Sequence, residues 1–143
     1  MLVEHIDHEG STMAIIVSYK YNENGTHFFT PDNFSQQLGY MKHPGGKVIE
    51  PHVHNSVTRE VFYTNEVLFI RKGKLRVDFY DTQQKYLKSR LLEAGDVILL
   101  ISCGHGFEVV EEVEMFEVKQ GPFAGNMDKT RFKPTKAQIN YGQ

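Results

Sequence analysis

The chain is poor in several things that would fix its class at once. Its 143 residues include a single cysteine, Cys103, so no disulfide can form within it. It has no long apolar run. The longest stretches, such as Val97 to Ile101, are far too short for a helix to cross a bilayer, and no membrane partner is expected. It has no basic excess either: 16 Lys and Arg stand against 18 Asp and Glu, for a net charge of −2. Without a Lys/Arg cluster, nucleic acid is not an expected partner. The opening Met1-Leu2-Val3-Glu4-His5 has neither a basic segment nor a long apolar one, so no signal peptide is expected and a cytoplasmic location is the simplest expectation. Helical periodicity is nearly absent.

What is present is a succession of short β-type runs between turn residues. The length suits one domain over 1–143. Strands are expected over Thr12 to Tyr21, Leu38 to Lys42, Lys47 to His54, Arg59 to Thr64, Glu66 to Arg71, Leu75 to Tyr80, Tyr86 to Leu92, Val97 to Ile101, Phe107 to Val110 and Glu114 to Lys119. In the sixth of these, Leu75, Val77 and Phe79 alternate with Arg76, Asp78 and Tyr80, the two-residue period of a strand with two unlike faces. Lys72-Gly73 reads as a tight hairpin, and Thr30-Pro31 as the N-cap and first residue of a short helical turn. The segment after Gly121-Pro122, residues 121–143, is polar and weakly periodic, and is expected to wrap the outside or fray. About ten short strands with little helix imply an all-β antiparallel sandwich or barrel.

The chemistry concentrates at Pro51-His52-Val53-His54. On a strand, residues two apart project to one face, so His52 and His54 are a candidate pair of metal ligands. Taken alone, a His-x-His is equally a pair of surface histidines. Glu66 shares a strand face with Leu68 and Ile70, and a carboxylate on an apolar face needs a partner. His105 lies in a Gly-His-Gly at 104–106.

The spacing extends the pattern. Gly46 is followed by five residues and His52-x-His54; eleven residues later comes Glu66, and six more lead to Gly73. Downstream, Gly95-Asp96 leads through an apolar strand to His105. This resembles the two motifs of the cupin superfamily, over about 46–106, and is nearest to small single-domain cupins with a Glu-Val-Leu-Phe strand, Gly-Asp-Val, Gly-His-Gly-Phe and a closing Glu-Val-Lys-Gln-Gly-Pro. The resemblance implies a double-stranded β-helix, or jelly-roll barrel. It also implies that His52, His54, Glu66 and His105 occupy its metal-ligand positions, and that the protein is a homodimer. Thr12 to Tyr21 is the candidate for the shared edge. The eleven-residue gap before Glu66 is longer than is common in the family, and Glu60, inside it, is the rival carboxylate.

Three imidazoles and a carboxylate suit a divalent transition ion such as Zn, Mn, Fe or Ni, and would leave a coordination position open. The expected function is therefore to bind or act on a small polar metabolite, such as a sugar or keto acid, with one divalent ion in the barrel. As an enzyme it would be a metal-dependent isomerase or epimerase, or an iron-dependent dioxygenase; the alternative is a metal- or ligand-binding module without turnover. Glu60, Tyr40, Glu117 and Lys119 are the acid–base candidates. Arg59 is a candidate fork for an anionic group or a surface ion-pair partner. Cys103 reads as a small buried apolar group rather than a nucleophile.

Overall fold

A computed structural model describes residues 1–134. Among them the chain forms eight strands: β1 (Val3–His8), β2 (Ser11–Val17), β3 (Gly25–Phe28), β4 (Gly39–Lys42), β5 (Glu66–Tyr80), β6 (Tyr86–Glu93), β7 (Val97–Leu100) and β8 (Gly104–Lys119). One 3-10 turn, Gly125–Met127, is the only helical element of the described residues. The chain is thus all-β. Its main sheet is antiparallel, in the order β1-β2-β7-β5-β6, with β8 also paired to β5; β3 and β4 form a separate two-stranded sheet.

The main sheet is curled into a half-barrel. Glu4 on β1 and Arg90 on β6 stand at opposite ends of the strand order, yet Arg90 grips the Glu4 carboxylate, with Nη2 2.6 Å from Oε1 and Nε 3.0 Å from Oε2. Inside the curl sit Ile6, Met13, Ala14, Leu68, Ile70, Leu75, Val77, Phe79, Leu92 and Ile98, all essentially inaccessible to solvent. Burial of this set is the main favourable contribution to the fold; each such side chain contributes about 1.5–3 kcal/mol.

Two strands are longer than the sequence suggests. The expected strands at Glu66 to Arg71 and Leu75 to Tyr80 are one strand, β5, and Lys72-Gly73 is a bend within it rather than a hairpin. Against β8 the register slips repeatedly between Ile70 and Leu75, while β8 itself runs unbroken from Gly104 to Lys119. Gly73 explains the bend. Its φ is +83°, and a Cβ there would lie 1.9 Å from the Glu112 carbonyl oxygen. A hairpin and a bulge both call for a glycine with positive φ, so the residue alone does not distinguish them. The Gly95-Asp96 turn is stitched in beside the bend: Ile70 N donates to Asp96 O at 3.0 Å and Gly95 N to Ile70 O at 2.6 Å. The Asp96 carboxylate accepts from Tyr19 N and Glu93 N, both at 2.8 Å.

Other expectations are corrected. Lys47 to His54 and Arg59 to Thr64 are not strands; they lie in a long connection between β4 and β5, exposed from Met41 to Tyr63. A β-like pattern makes a strand only where a neighbouring edge supplies the hydrogen bonds, and among the described residues none is laid against this segment. Strand β2 is no free edge, because β1 and β7 flank it. Thr30 opens no helix; its hydroxyl donates to Gln37 Oε1 at 2.8 Å and accepts from Leu38 N at 3.2 Å, closing a loop. Strands β1 and β3 were not anticipated. The tail to residue 134 folds back on the body, with the Phe132 ring edge-on to Tyr80 at 5.1 Å; the rest of the expected tail, 135–143, lies outside the described residues.

The bend yields a test. Gly73→Ala places a methyl group on a backbone oxygen at a positive φ, and is expected to destabilise the fold by more than about 1 kcal/mol. A fall in the urea unfolding midpoint checks it; an unchanged midpoint contradicts the packing at Glu112.

Candidate functional site

Curling the sheet brings Glu66, the first residue of β5, to the start of β8. There His105 Nε2 lies 3.0 Å from Glu66 Oε2, across 39 residues of chain. Glu66 has 13 % and His105 28 % of its side chain exposed, so the pair is largely shielded but still reached by solvent. The Glu66 carboxyl is held below the usual carboxylate range. The chief cause is its hydrogen bond with His105; burial opposes the shift, and the positive fields of His105, Lys119 and Lys129 assist it. Glu66 is therefore an anion at neutral pH, in the role of acceptor.

The pair forms part of the wall of a cleft of about 780 Å³. Further lining comes from β5 (Arg76, Asp78, Tyr80), from the end of the long connection (Tyr63, Thr64) and from the tail (Lys129 to Phe132). The second β5 face contributes buried charge. Arg76 Nε donates to Asp78 Oδ1 at 2.9 Å and Nη2 to Oδ2 at 3.0 Å, while Nη2 also lies 2.6 Å from Glu108 Oε2. Asp78 accepts a further hydrogen bond from Ser89 Oγ, itself bonded to Tyr86 Oη at 2.8 Å. Charges with this little exposure persist only when paired and hydrogen-bonded. Tyr80 beside them titrates above the ordinary phenol range, first because it is buried and then because of Asp78; it presents an O–H and not a phenolate. The cleft thus offers fixed donors and acceptors on an aromatic floor, the usual make-up of a small-molecule site.

The expected ligand residues lie as two pairs. Glu66 and His105 meet in the cleft wall. His52 and His54 lie together in the exposed connection, their rings edge-to-face at 5.2 Å, and His52 Nδ1 lies 3.0 Å from the Glu50 carbonyl oxygen. Among the described residues no three His, Cys, Asp or Glu side chains cluster closely enough to hold a metal ion. The chemistry of Glu66 and His105 suits a divalent ion, but a single chain in this arrangement offers only two of the four expected donors at one place.

The other candidates separate by position. Glu60 lines a second cavity of about 600 Å³ beside Phe34, Ser35 and Asn65, not the cleft of Glu66. Tyr40 packs edge-on against Tyr21 at 4.9 Å on the small sheet. Lys119 stands opposite Glu66 in the β5–β8 pairing, and 3.7 Å from Glu117, in a half-exposed ion pair. Arg59 is exposed in the connection. Gln37, in the loop before β4, is a brace, donating to the Pro31 and Phe34 carbonyls at 2.9 Å, and takes no part in the cleft. Cys103 packs against the core, at a φ of +65°. Two features of the cleft escaped the sequence reading. The alternation in Leu75 to Tyr80 assigns Arg76 and Asp78 to an outer face, and only the Arg76–Asp78 spacing of two hinted at a same-face ion pair. The tail carried no periodic signal, yet Gly104 leaves just enough room between Tyr80 and Phe132 for it to pack.

The lowered Glu66 pKa has a consequence for stability. Its ionisation stabilises the folded chain fully above the ordinary carboxylate range, and that contribution is lost as pH falls through the lowered value. Glu66→Gln is therefore expected to lower the melting temperature at pH 7, and the gap to the unsubstituted protein should close as pH drops below about 4.3. Melting curves from pH 7 to pH 3 check this; a gap that does not narrow contradicts it.

No protein-family model matches the chain, and comparison with curated proteins and with solved structures gives no match, so the fold and cleft described above rest on this chain's own residues and geometry.

Proposed function

We propose that this protein is a cupin-type protein whose cleft binds a small polar metabolite, a sugar or keto acid, with Glu66 and His105 as the pair that engages its reacting or recognised oxygen. The observation that carries this reading is the Glu66–His105 contact of 3.0 Å in the wall of a cleft large enough for such a molecule. A carboxylate held ionised beside an imidazole can accept a proton or a hydroxyl hydrogen bond, while the imidazole passes a proton on. Such a pair serves an isomerase or epimerase at a carbon next to a carbonyl, and equally a binding module that recognises adjacent hydroxyls. Calorimetry against a panel of sugars, sugar phosphates and keto acids tests the reading. At least one class should bind the unsubstituted protein, and Glu66→Gln and His105→Ala should each weaken it tenfold or more, which is about 1.4 kcal/mol. No binding across the panel, or affinity indifferent to both substitutions, sinks the proposal.

The divalent ion is a second reading, favoured by donor chemistry: a carboxylate and an imidazole already adjacent, and an i, i+2 pair of imidazoles elsewhere. When bound, such an ion would polarise a carbonyl or acidify a water. His52 and His54 are exposed and outside every strand of the described residues, so replacing both by Ala should leave the chain folded, with its melting temperature in chelator unchanged. On this reading the same change should remove metal from protein purified without chelator, as measured by mass spectrometry. Metal content that survives it, or protein that takes up no divalent ion at all, counts against the ion.

A further inference from the structure

Two parts of the chain are incomplete in complementary ways. Strand β8 is sixteen residues long and, among the described residues, is paired along one edge only, to β5. It is exposed along most of its length, and Phe107, Val109 and Val110 are roughly half exposed. An open edge of that length, with apolar side chains on both faces, is a template for another strand. The connection between β4 and β5 is the converse. Lys47 to His54 is rich in β-branched residues, with Val48, Ile49 and Val53 at 73 %, 61 % and 85 % exposure and Pro51 between them, yet among the described residues it pairs with no strand. One feature is an edge without a strand, and the other a strand without an edge.

We infer that the connection is an exchange arm, and that Lys47 to His54 of one copy adds as a strand to the open edge of β8 in a second copy. The occupant is a second copy because each chain carries both the arm and the edge, so reciprocal exchange closes about a twofold axis and leaves neither unmatched. It is not the chain's own arm, because every residue from Met41 to Tyr63 stays exposed in the single chain. Reach is sufficient. At about 3.3 Å per residue, the midpoint of the segment 43–65 can stand some 35 Å from its anchors. Backbone bonding would supply affinity, and the exposed apolar side chains Phe107, Val109 and Val110 would offer cross-strand contacts, as in other additions of a strand to a sheet edge. Because His105 lies on β8 itself, exchange also carries the arm's two histidines to the strand that holds His105, which neither chain achieves alone. The inference stands on pairing and exposure, and does not depend on what the cleft binds.

Sedimentation of the full chain at micromolar concentration is the test. The unsubstituted protein should sediment as a dimer. Val48→Pro together with Val53→Pro removes one backbone donor from each side of the arm, so whichever side faces β8 loses one, and should shift the species toward monomer, with the dissociation constant raised at least tenfold. Both positions are exposed, so the melting temperature of the monomer itself should be kept, and a circular dichroism melt confirms that the variant is folded. A chain carrying Val53→Cys and Val109→Cys in a Cys103→Ser background should oxidise to a covalent dimer. A monomeric unsubstituted chain, a dimer that survives the two prolines, or a disulfide formed only within one chain would overturn the proposal.

Discussion

The structure depends on the bend in β5. Glu66 begins this strand, and His105 pairs with Phe79 near its far end. Along a straight strand those positions would be about 43 Å apart, at roughly 3.3 Å per residue. They are 3.0 Å apart through space because the sheet curls. The curl is made where Gly73 takes a positive φ against the Glu112 carbonyl and where the pairing of β5 with β8 slips. It is held by the core of Leu68, Ile70, Leu75, Val77 and Phe79 on the inside, and by the Arg90–Glu4 clasp across the strand order. The cleft is a product of that curvature and not of any local motif.

The same strand divides apolar work from polar work. Leu75, Val77 and Phe79 take the core face, and Arg76, Asp78 and Tyr80 take the other. Burying Arg76 and Asp78 adds little net stability, since desolvation offsets most of their attraction. Their arrangement with Glu108, Ser89 and Tyr86 fixes side-chain directions along the cleft floor. That rigidity is what a recognition surface needs, because polar groups already held in place lose little entropy when a ligand arrives.

Much of this was legible in the sequence, and the unreadable parts have physical reasons. The all-β class and the positions of β5 to β7 follow from β-type runs set between turn residues, and the core face of Leu75, Val77 and Phe79 follows from two-residue alternation, which survives wherever one face is buried. Glu66 was marked by standing on the face of Leu68 and Ile70, a conflict that a partner had to resolve, and the fold places His105 there. The join of two runs into β5 was not readable, because Gly73 serves a bend and a hairpin equally well. Strand β1 hid because Val3 to His8 carries Glu4, His5, Asp7 and His8 in no two-residue pattern, with Ile6 its one fully buried residue. Lys47 to His54 is rich in β-branched residues, but strand formation is a property of two segments, and among the described residues no segment lies beside this one.

Glu66 is kept ionised by the hydrogen bond from His105 and by the fields of two lysines, so within the proposed site it is a firm hydrogen-bond acceptor, a weaker proton base than an ordinary carboxylate, and poorly suited to act as an acid near neutral pH. A reaction that moves a proton between adjacent carbons needs both an acceptor and a donor. Lys119 opposes Glu66 from β8 but is bridged to Glu117, and Tyr80 is held as a neutral phenol. His105 already touches the acceptor and carries a second ring nitrogen. On the proposed reading it is the group through which a proton leaves the pair, and whatever strand comes to lie beside β8 sets how open to water that second nitrogen remains.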